Sequence, residues 1–239
     1  MAKKNLKEEY TAFYQRANPT HVYPPEWVVR TFLGNYPKLS LDKSKYVGSK
    51  ILDIGFGDGR CFPLLYNNGF EIYGVEITEE IVNLCEQRMK RLGIKAVLKK
   101  GTNSGIPFED NFFDYILASS SCYYVDHGTT FSNHLREYNR VLKPGGMFIA
   151  SLAGPDSFIF ESSIEQEDGL CEIVNDPYGV RNGCTLRRFR SEDEIRSVFG
   201  KYFDSFSFGS CKDDFYGSQV DLFLLVCKKH MKNSSKLGR

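Results

Sequence analysis

From about residue 50 onward, short apolar runs alternate with longer stretches of helical period. Ile51, Leu52 and Ile54 form a run short and apolar enough for a buried parallel strand over 50–55. It breaks into Gly55-Phe-Gly57-Asp-Gly59, and a helix over about 60–68 follows, stopped by Asn67-Asn68-Gly69. The alternation then repeats. A strand at 71–75 leads to a helix over about 79–92, with Thr78 as N-cap and Ile81, Leu84, Cys85 and Leu92 on its apolar side. Strands are predicted at 95–99, 115–118 and 147–151, with a helix over about 129–141 before the last of these. Such alternation predicts a parallel sheet covered on both faces. Right-handed crossovers bring the carboxyl ends of its strands to one edge.

The flanks read differently. Residues 5–17 predict a helix with Leu6, Tyr10, Phe13 and Tyr14 roughly on one face. Pro24-Pro25 opens a second helix, to which Trp27, Val28 and Phe32 give an apolar side. Together 1–49 are expected to form a helical cap, with Tyr14 and Tyr23 as its candidate contacts to a site below, ordinary packing against the sheet edge being the alternative. Residues 153–190 have no clear period and exceed the ~12–15 residues usual for a loop. They are expected to be an insertion that is functional or partly helical. Ser191-Glu-Asp-Glu194 is a capping box for a helix ending near Phe199. Two aromatic-rich strands, roughly 202–210 and 219–227, then fit an antiparallel pair joined by Lys-Asp-Asp-Phe-Tyr-Gly. The organisation expected is one domain: cap 1–49, ligand-binding core 50–152, insertion 153–190, closing helix and strand pair 191–228, and a frayed basic tail 229–239.

The glycines carry the first chemical signal. A strand that turns through glycines into a helix presents backbone N–H groups to a ligand with an anionic group, and no Cβ stands in the way. The dinucleotide fingerprint needs a third small residue where this chain has Arg60, and Asp53 before the first glycine is a second departure. Glu76 falls at the carboxyl end of the second strand, about 20 residues after the glycines, where an acceptor-only side chain can take both ribose hydroxyls of an adenosine.

Asp53-x-Gly55-x-Gly57-x-Gly59 resembles motif I of the class I S-adenosylmethionine-dependent methyltransferases. Arg140-Val-Leu-Lys-Pro-Gly-Gly146 closely resembles their motif III, and 101–114 resembles their motif II region. The resemblance covers roughly 50–228. It implies an α/β fold, a doubly wound, mostly parallel seven-stranded sheet with helices on both faces and an antiparallel last strand. It also implies S-adenosylmethionine as methyl donor and S-adenosylhomocysteine as product. Under it, Gly55, Gly57 and Asp58 approach the methionine part, and Asp53 holds the ammonium group through water. Glu76 takes the ribose and Ile77 packs on adenine. Where the family commonly has an acidic residue this chain has Thr102, so Asn103 and Ser104 are expected to line the adenine pocket instead. Ser119 is expected under the sulfonium.

The acceptor pocket is expected to be built from the cap, the 119–127 loop and the insertion, through Tyr14, Tyr123, Tyr124 and Arg187. Arg187 is one of four arginines (181, 187, 188, 190) whose forks suit an anion, an ion-paired solvated face being the alternative reading. His127 is the candidate general base, since imidazole titrates near neutrality, with a surface role as its alternative. His134 lies inside the 129–141 helix, His21 in the cap and His230 in the tail. The 119–127 loop lacks the Asn-Pro-Pro-Tyr of methyltransferases acting on amino groups of bases or glutamine. The expected acceptor is therefore a small molecule, a hydroxyl of a sugar or related metabolite among the options. A non-catalytic S-adenosylmethionine- or nucleoside-binding regulatory or scaffold protein is the alternative. An NAD(P)-dependent dehydrogenase is disfavoured by Arg60 and by the absence of Tyr-x-x-x-Lys.

Composition narrows the partners. A net charge of +1 gives no field favouring nucleic acid or an anionic membrane. No stretch approaches the ~20 apolar residues of a membrane span. The N-terminal Met-Ala-Lys-Lys-Asn-Leu-Lys-Glu-Glu has no apolar run for a secretory leader. The seven cysteines are dispersed without a Cys-x-x-Cys pair, so neither a disulfide framework nor a metal site is expected, and a cytoplasmic location is.

Overall fold

The computed structural model describes residues 6–16 and 22–231. The outer ends of the first predicted helix, His21, and residues 232–239 of the predicted tail lie outside the described residues. The chain opens with helices α1 (Leu6–Arg16) and α2 (Glu26–Leu33), then alternates through β1 (Lys50–Ile54), α3 (Phe62–Asn67), β2 (Glu71–Glu76), α4 (Glu79–Leu92), β3 (Ala96–Lys100) and β4 (Phe113–Ala118). Next come a two-residue strand β5 (Tyr124–Val125), α5 (Phe131–Val141) and β6 (Leu142–Ala153). Strands β7 (Ser163–Glu165), β8 (Leu170–Ile173) and β9 (Thr185–Arg187) follow, then α6 (Glu192–Phe199), β10 (Phe203–Phe215) and β11 (Ser218–Lys229).

The main sheet has seven strands in the order β10-β11-β6-β4-β1-β2-β3. β1 pairs in parallel with β2 and β4, β2 with β3, and β4 with β6. β11 runs antiparallel to both of its neighbours. The expected doubly wound sheet with an antiparallel last strand is thus the fold. Its central strands β1, β4 and β6 are buried on both faces, and the faces separate by the two-residue period of a strand. Leu52, Ile54, Ile116, Ala118 and Phe148 belong to the apolar layer that also holds Leu135, Tyr138 and Val141 of α5. Ile51, Tyr115, Leu117 and Ile149 belong to the opposite layer, with Val28 and Phe32 of α2, Phe62 and Leu65 of α3, and Ile81 and Cys85 of α4.

Local chemistry sets the element ends as expected at two helices. The Thr78 hydroxyl accepts from the Ile81 N–H to open α4, and that of Ser191 accepts from the Glu194 N–H to open α6. The Lys143-Pro-Gly-Gly segment enters β6 as an irregularity: Phe113 lies opposite Leu142, but Tyr115 lies opposite Met147. The final hairpin is longer than the sequence suggests. Its ladder runs to Phe215 opposite Ser218, closed by Tyr216 and Gly217, both at positive φ (56° and 88°).

The insertion departs from expectation. It is a second, four-stranded antiparallel sheet in the order β5-β9-β8-β7, with single 3-10 turns at Phe158–Phe160 and Glu167–Gly169, rather than partly α-helical. Strands of two to four residues are too short to print a period on the sequence. The 119–127 loop contributes β5 to this sheet, pairing Tyr124 with Leu186.

No helix among the described residues is long and apolar enough to cross a membrane. All seven cysteines are free thiols, and six are buried.

Arg140 of α5 shows what the motif III arginine does physically. Its guanidinium donates to the Ile106 and Phe108 carbonyls, to Asp110 and twice to Glu137, all within 2.9 Å. It therefore holds the segment after β3 against α5. Replacing it removes the side-chain donor to the Phe108 carbonyl and one of two donors to the Ile106 carbonyl, which also accepts from the Phe108 N–H. Arg140→Met is expected to lower unfolding free energy by about 1–3 kcal/mol in urea titration, and Arg140→Lys to recover less than half of the loss, since one ammonium cannot span five acceptors.

Candidate functional site

The chain leaves β1 through three glycines at positive φ: Gly55 (67°), Gly57 (56°) and Gly59 (72°). The Gly55 N–H donates to the Val75 carbonyl and pins the turn to β2. Each glycine also admits a different neighbour. A Cβ on Gly55 would lie 2.7 Å from the Ser121 Cβ, one on Gly57 2.3 Å from the Tyr14 hydroxyl, and one on Gly59 2.6 Å from the Cys85 sulfur. The turn is therefore where the loop after β4, helix α1 and helix α4 all come into contact. Gly59 fills the close-packing role for which Arg60 is unsuited. Arg60 instead forks onto the Asp58 carboxylate, through Nε at 2.9 Å and Nη2 at 2.8 Å.

Three buried carboxylates surround this turn. Asp53 is 2% exposed, and its Oδ1 has no hydrogen-bond partner among the described residues. Burial pushes its pKa well above the ordinary range, and the nearby Glu76 and Asp58 charges push it further. Glu76 accepts from the Ile77 N–H at 2.6 Å and from the Gly57 N–H. Burial still raises its pKa to about 7, against the pull of those two donors. Asp58 is buried under its Arg60 fork, and its carbonyl accepts from Arg88 at 2.5 Å.

Helix α1 lies over the turn. The Tyr14 phenol has its pKa raised by burial and by the Glu76 and Asp58 carboxylates beneath it. One turn earlier, the Tyr10 hydroxyl donates to the Tyr124 hydroxyl at 2.9 Å, and Thr11 meets Thr78 at 3.1 Å. The same Tyr124 oxygen accepts from Arg181 Nε at 3.0 Å. Arg181 is ion-paired with the buried Asp176 at 2.9 Å. Tyr123 is buried and stacked on Tyr124, ring centroids 5.2 Å apart. Between α1 and the start of α4 lies a cleft of about 350 Å³, lined among others by Thr11, Ala12, Gln15, Ile77, Thr78 and Lys100.

The sheet edge thus brings together Asp53, Gly55, Gly57, Asp58, Glu76 and Ile77, with Tyr14 above them and half-buried Ser119 at the end of β4. Other expected residues have different surroundings. Both amide hydrogens of Asn103 donate to the Ser121 and Tyr124 carbonyls at 3.1 Å, and its oxygen accepts from the Tyr138 hydroxyl at 2.8 Å. Its side chain ties the 119–127 loop down, and its oxygen is already engaged by the Tyr138 hydroxyl. Ser104 is likewise held, its N–H and hydroxyl both on Asp126. His127 is exposed on the turn between β5 and α5, and no hydrogen bond ties it to the site among the described residues. A side chain so placed does not meet the requirement for a base in a covered pocket. Arg187 is buried on Glu194 of α6 at 2.5 Å, so it fastens the insertion to α6 instead of facing an acceptor. Arg188 and Arg190 both pair with Glu165. Tyr23 is exposed.

Sequence reasoning missed two members of the cluster. Tyr10 stands one helical turn from Tyr14, and that spacing alone put both on one face. Arg181 had no distinguishing signal among the four arginines, because its partner Asp176 lies in a turn without period.

Comparison with known proteins places this geometry. Residues 52–150 match the family model described as a methyltransferase domain. The demethylmenaquinone methyltransferase of Bacillus cytotoxicus is 34% identical over 107 residues, which is 43% of this chain and 44% of that protein. The chain spans less than half the length of the curated relatives it matches. A S-adenosylmethionine-dependent methyltransferase structure from Methanosarcina mazei aligns over 83% of this chain and 99% of its own, with a TM-score of 0.61 at 22% identity. The 1,6-didemethyltoxoflavin-N1-methyltransferase of Burkholderia thailandensis, solved with its substrate and S-adenosylhomocysteine, covers 77% of this chain and 72% of its own at a TM-score of 0.56 and 18% identity. These structures share the fold, and the sequence match falls on the strands, the glycine turn and the motif III segment that build the site. Residues 52–150 thus resemble a methyltransferase domain, and the chain shares the fold of solved S-adenosylmethionine-dependent methyltransferases.

Proposed function

We propose that this protein transfers a methyl group from S-adenosylmethionine to a small-molecule acceptor, a hydroxyl of a sugar or related metabolite being the acceptor that its lining suits. The observation that carries the reading is the group of three buried carboxylates at the glycine turn, with Asp53 Oδ1 unpartnered among the described residues. Buried carboxylates left short of donors favour a ligand that brings positive charge and hydrogen-bond donors. A sulfonium, an ammonium and two ribose hydroxyls meet that need. The residues therefore fit the donor. Asp53 would hold its ammonium group and Glu76 its ribose. Gly55, Gly57 and Asp58 would face its methionine part, and Ile77 its adenine.

Bound there, the donor supplies a methyl group already activated by the positive sulfur to which it is attached. What remains for the protein is alignment, which is worth ~7–11 kcal/mol of barrier when two reactants are held at near-attack distance. Tyr14 and Tyr124 supply rings and hydroxyls that exclude water and orient a polar acceptor. With His127 exposed, no base is assigned to it. Alignment without a dedicated base is the reading that this residue set supports.

Calorimetry with S-adenosylhomocysteine tests the donor site. Wild-type protein is expected to bind it, and Asp53→Asn and Glu76→Ala are each expected to weaken binding about tenfold or more, the cost of losing a hydrogen bond to a charged group. Equal affinity in all three proteins overturns the assignment. Incubation with methyl-labelled donor and small-molecule pools then separates an enzyme, which labels a product, from a scaffold protein, which binds without labelling.

The Glu76 environment also sets a pH dependence. Its pKa is raised from 4.5 to about 7, so the ligand-free fold is favoured by protonated Glu76 and loses stability as pH rises from about 4.5 to 7. A ligand whose hydroxyls donate to the carboxylate reverses this preference. S-adenosylhomocysteine affinity is expected to increase as pH rises through about 7, with proton release on binding, and Glu76→Gln to flatten that part of the profile.

A further inference from the structure

Helix α1 packs one of its side chains directly against the glycine turn. The Tyr14 ring is in van der Waals contact with Gly57, so close that a methyl group on that glycine would strike the phenol oxygen at 2.3 Å. The helix has 11 residues, below the ~12–15 at which an isolated helix becomes even marginally stable in water. Its place over the turn therefore depends on side-chain contacts with the rest of the chain. Tyr10 supplies one at the far side of the cleft, where its hydroxyl donates to Tyr124.

That contact is a shared node. The Tyr124 oxygen accepts from α1 through Tyr10 and from the insertion through Arg181 Nε. Arg181 is held independently of α1. The buried Asp176 pairs with its guanidinium through Oδ1 and accepts the Val180 and Arg181 N–H groups through Oδ2. The insertion thus presents a preformed receptor, onto which the helix docks by one hydroxyl. The titratable and charged groups facing this node are Tyr10 and Tyr14 from α1, Tyr123 and Tyr124 from the 119–127 loop, and Arg181, Asp176 and Cys184 from the insertion.

We propose that α1 is a gate over the donor cleft and that the Tyr10–Tyr124–Arg181 chain is its latch, with Arg181 as a positioning residue that acts through Tyr124. This rests on the donor reading given above. The donor enters and leaves when the latch opens, and the same latch closes over the empty and the loaded cleft. The insertion that covers the acceptor side therefore also sets how fast the donor exchanges.

A gate of this kind speeds or slows association and dissociation together, whereas a residue that grips the ligand changes dissociation alone. Stopped-flow binding of S-adenosylhomocysteine to wild type, Tyr10→Phe and Arg181→Lys distinguishes them. Tyr10→Phe keeps the ring and Arg181→Lys keeps a charge for Asp176, so two independent variants report on the latch. Both rate constants are expected to rise about three- to tenfold in each variant, the factor of one ordinary hydrogen bond, with the dissociation constant held within about twofold. Amide hydrogen exchange over 6–16 in ligand-free protein is expected to quicken in parallel. A rise in dissociation alone, or unchanged rates with unchanged exchange, overturns the latch. Wild-type protein that fails to bind S-adenosylhomocysteine overturns the donor reading and the latch with it.

Discussion

Asp53, Asp58 and Glu76 are held in one small region from which water is largely excluded, near enough for the Asp53 carboxyl to feel both of the others. Like charges in a poorly solvated site repel, and each gains the protonated form at the expense of the charged one. The chain offsets this unevenly. Asp58 receives a bidentate guanidinium, and Glu76 receives two backbone N–H groups. One Asp53 oxygen receives no hydrogen bond among the described residues. An arrangement so costly to leave incomplete is held in place by the stiffest part of the fold. Asp53 pairs across to Gly74 of β2 on one side and Leu117 of β4 on the other, in the middle of the parallel sheet. Gly74 in turn gives the Phe56 ring room to lie against β2, which fixes the turn that carries Gly55 and Gly57. The site's polarity and the sheet's rigidity are two sides of one constraint.

The rest of the molecule is arranged around that turn. Close contact at its three glycines brings in the loop after β4, helix α1 and helix α4, so the donor half is surrounded by elements that each touch the same few residues. Asn103 extends the arrangement. By donating to the Ser121 and Tyr124 carbonyls, it ties the segment after β3 to the loop after β4, and Tyr138 of α5 fixes its orientation. Ser121 then donates to the Ile54 carbonyl at the end of β1. The ends of β1, β3 and β4 are thereby fastened to one another before any ligand is involved.

This division explains what could be read from the residues and what could not. The strand and helix alternation, the Thr78 and Ser191 caps and the glycine turn were legible because each rests on local periodicity or local hydrogen bonding. Asp53 and Glu76 were legible as a pair because their distances from the glycines, together with right-handed crossovers, place them on one edge. Asn103 and Arg187 were misjudged for a common reason. Both residue types suit a ligand, but which neighbour satisfies them is decided by long-range contacts, Tyr138 in one case and Glu194 in the other. His127 is a case of spacing without direction: it lies two residues beyond β5, but the turn carries it to the surface. The small sheet was hidden because three- and four-residue strands with turns between them have too few positions to show alternation.

On the proposed reading the site has a donor half and an acceptor half, and the two differ in how they are stabilised. The donor half uses a central parallel sheet with apolar layers on both faces, and its geometry resists change because every shift meets close packing. The acceptor half uses strands of two to four residues, one of them taken from the loop after β4, and helix α1, which docks through a few side chains. Such elements open locally at small free-energy cost. Arg181 and Asp176 limit that freedom at the point where the halves meet, since they anchor the tyrosine on which α1 rests. Sequence changes in the insertion can then alter the acceptor wall without disturbing the carboxylates, because Tyr124 is the narrow bridge between them. On the proposed reading, recognition of the acceptor and retention of the donor fall to different parts of the fold that meet at the Tyr124 phenol.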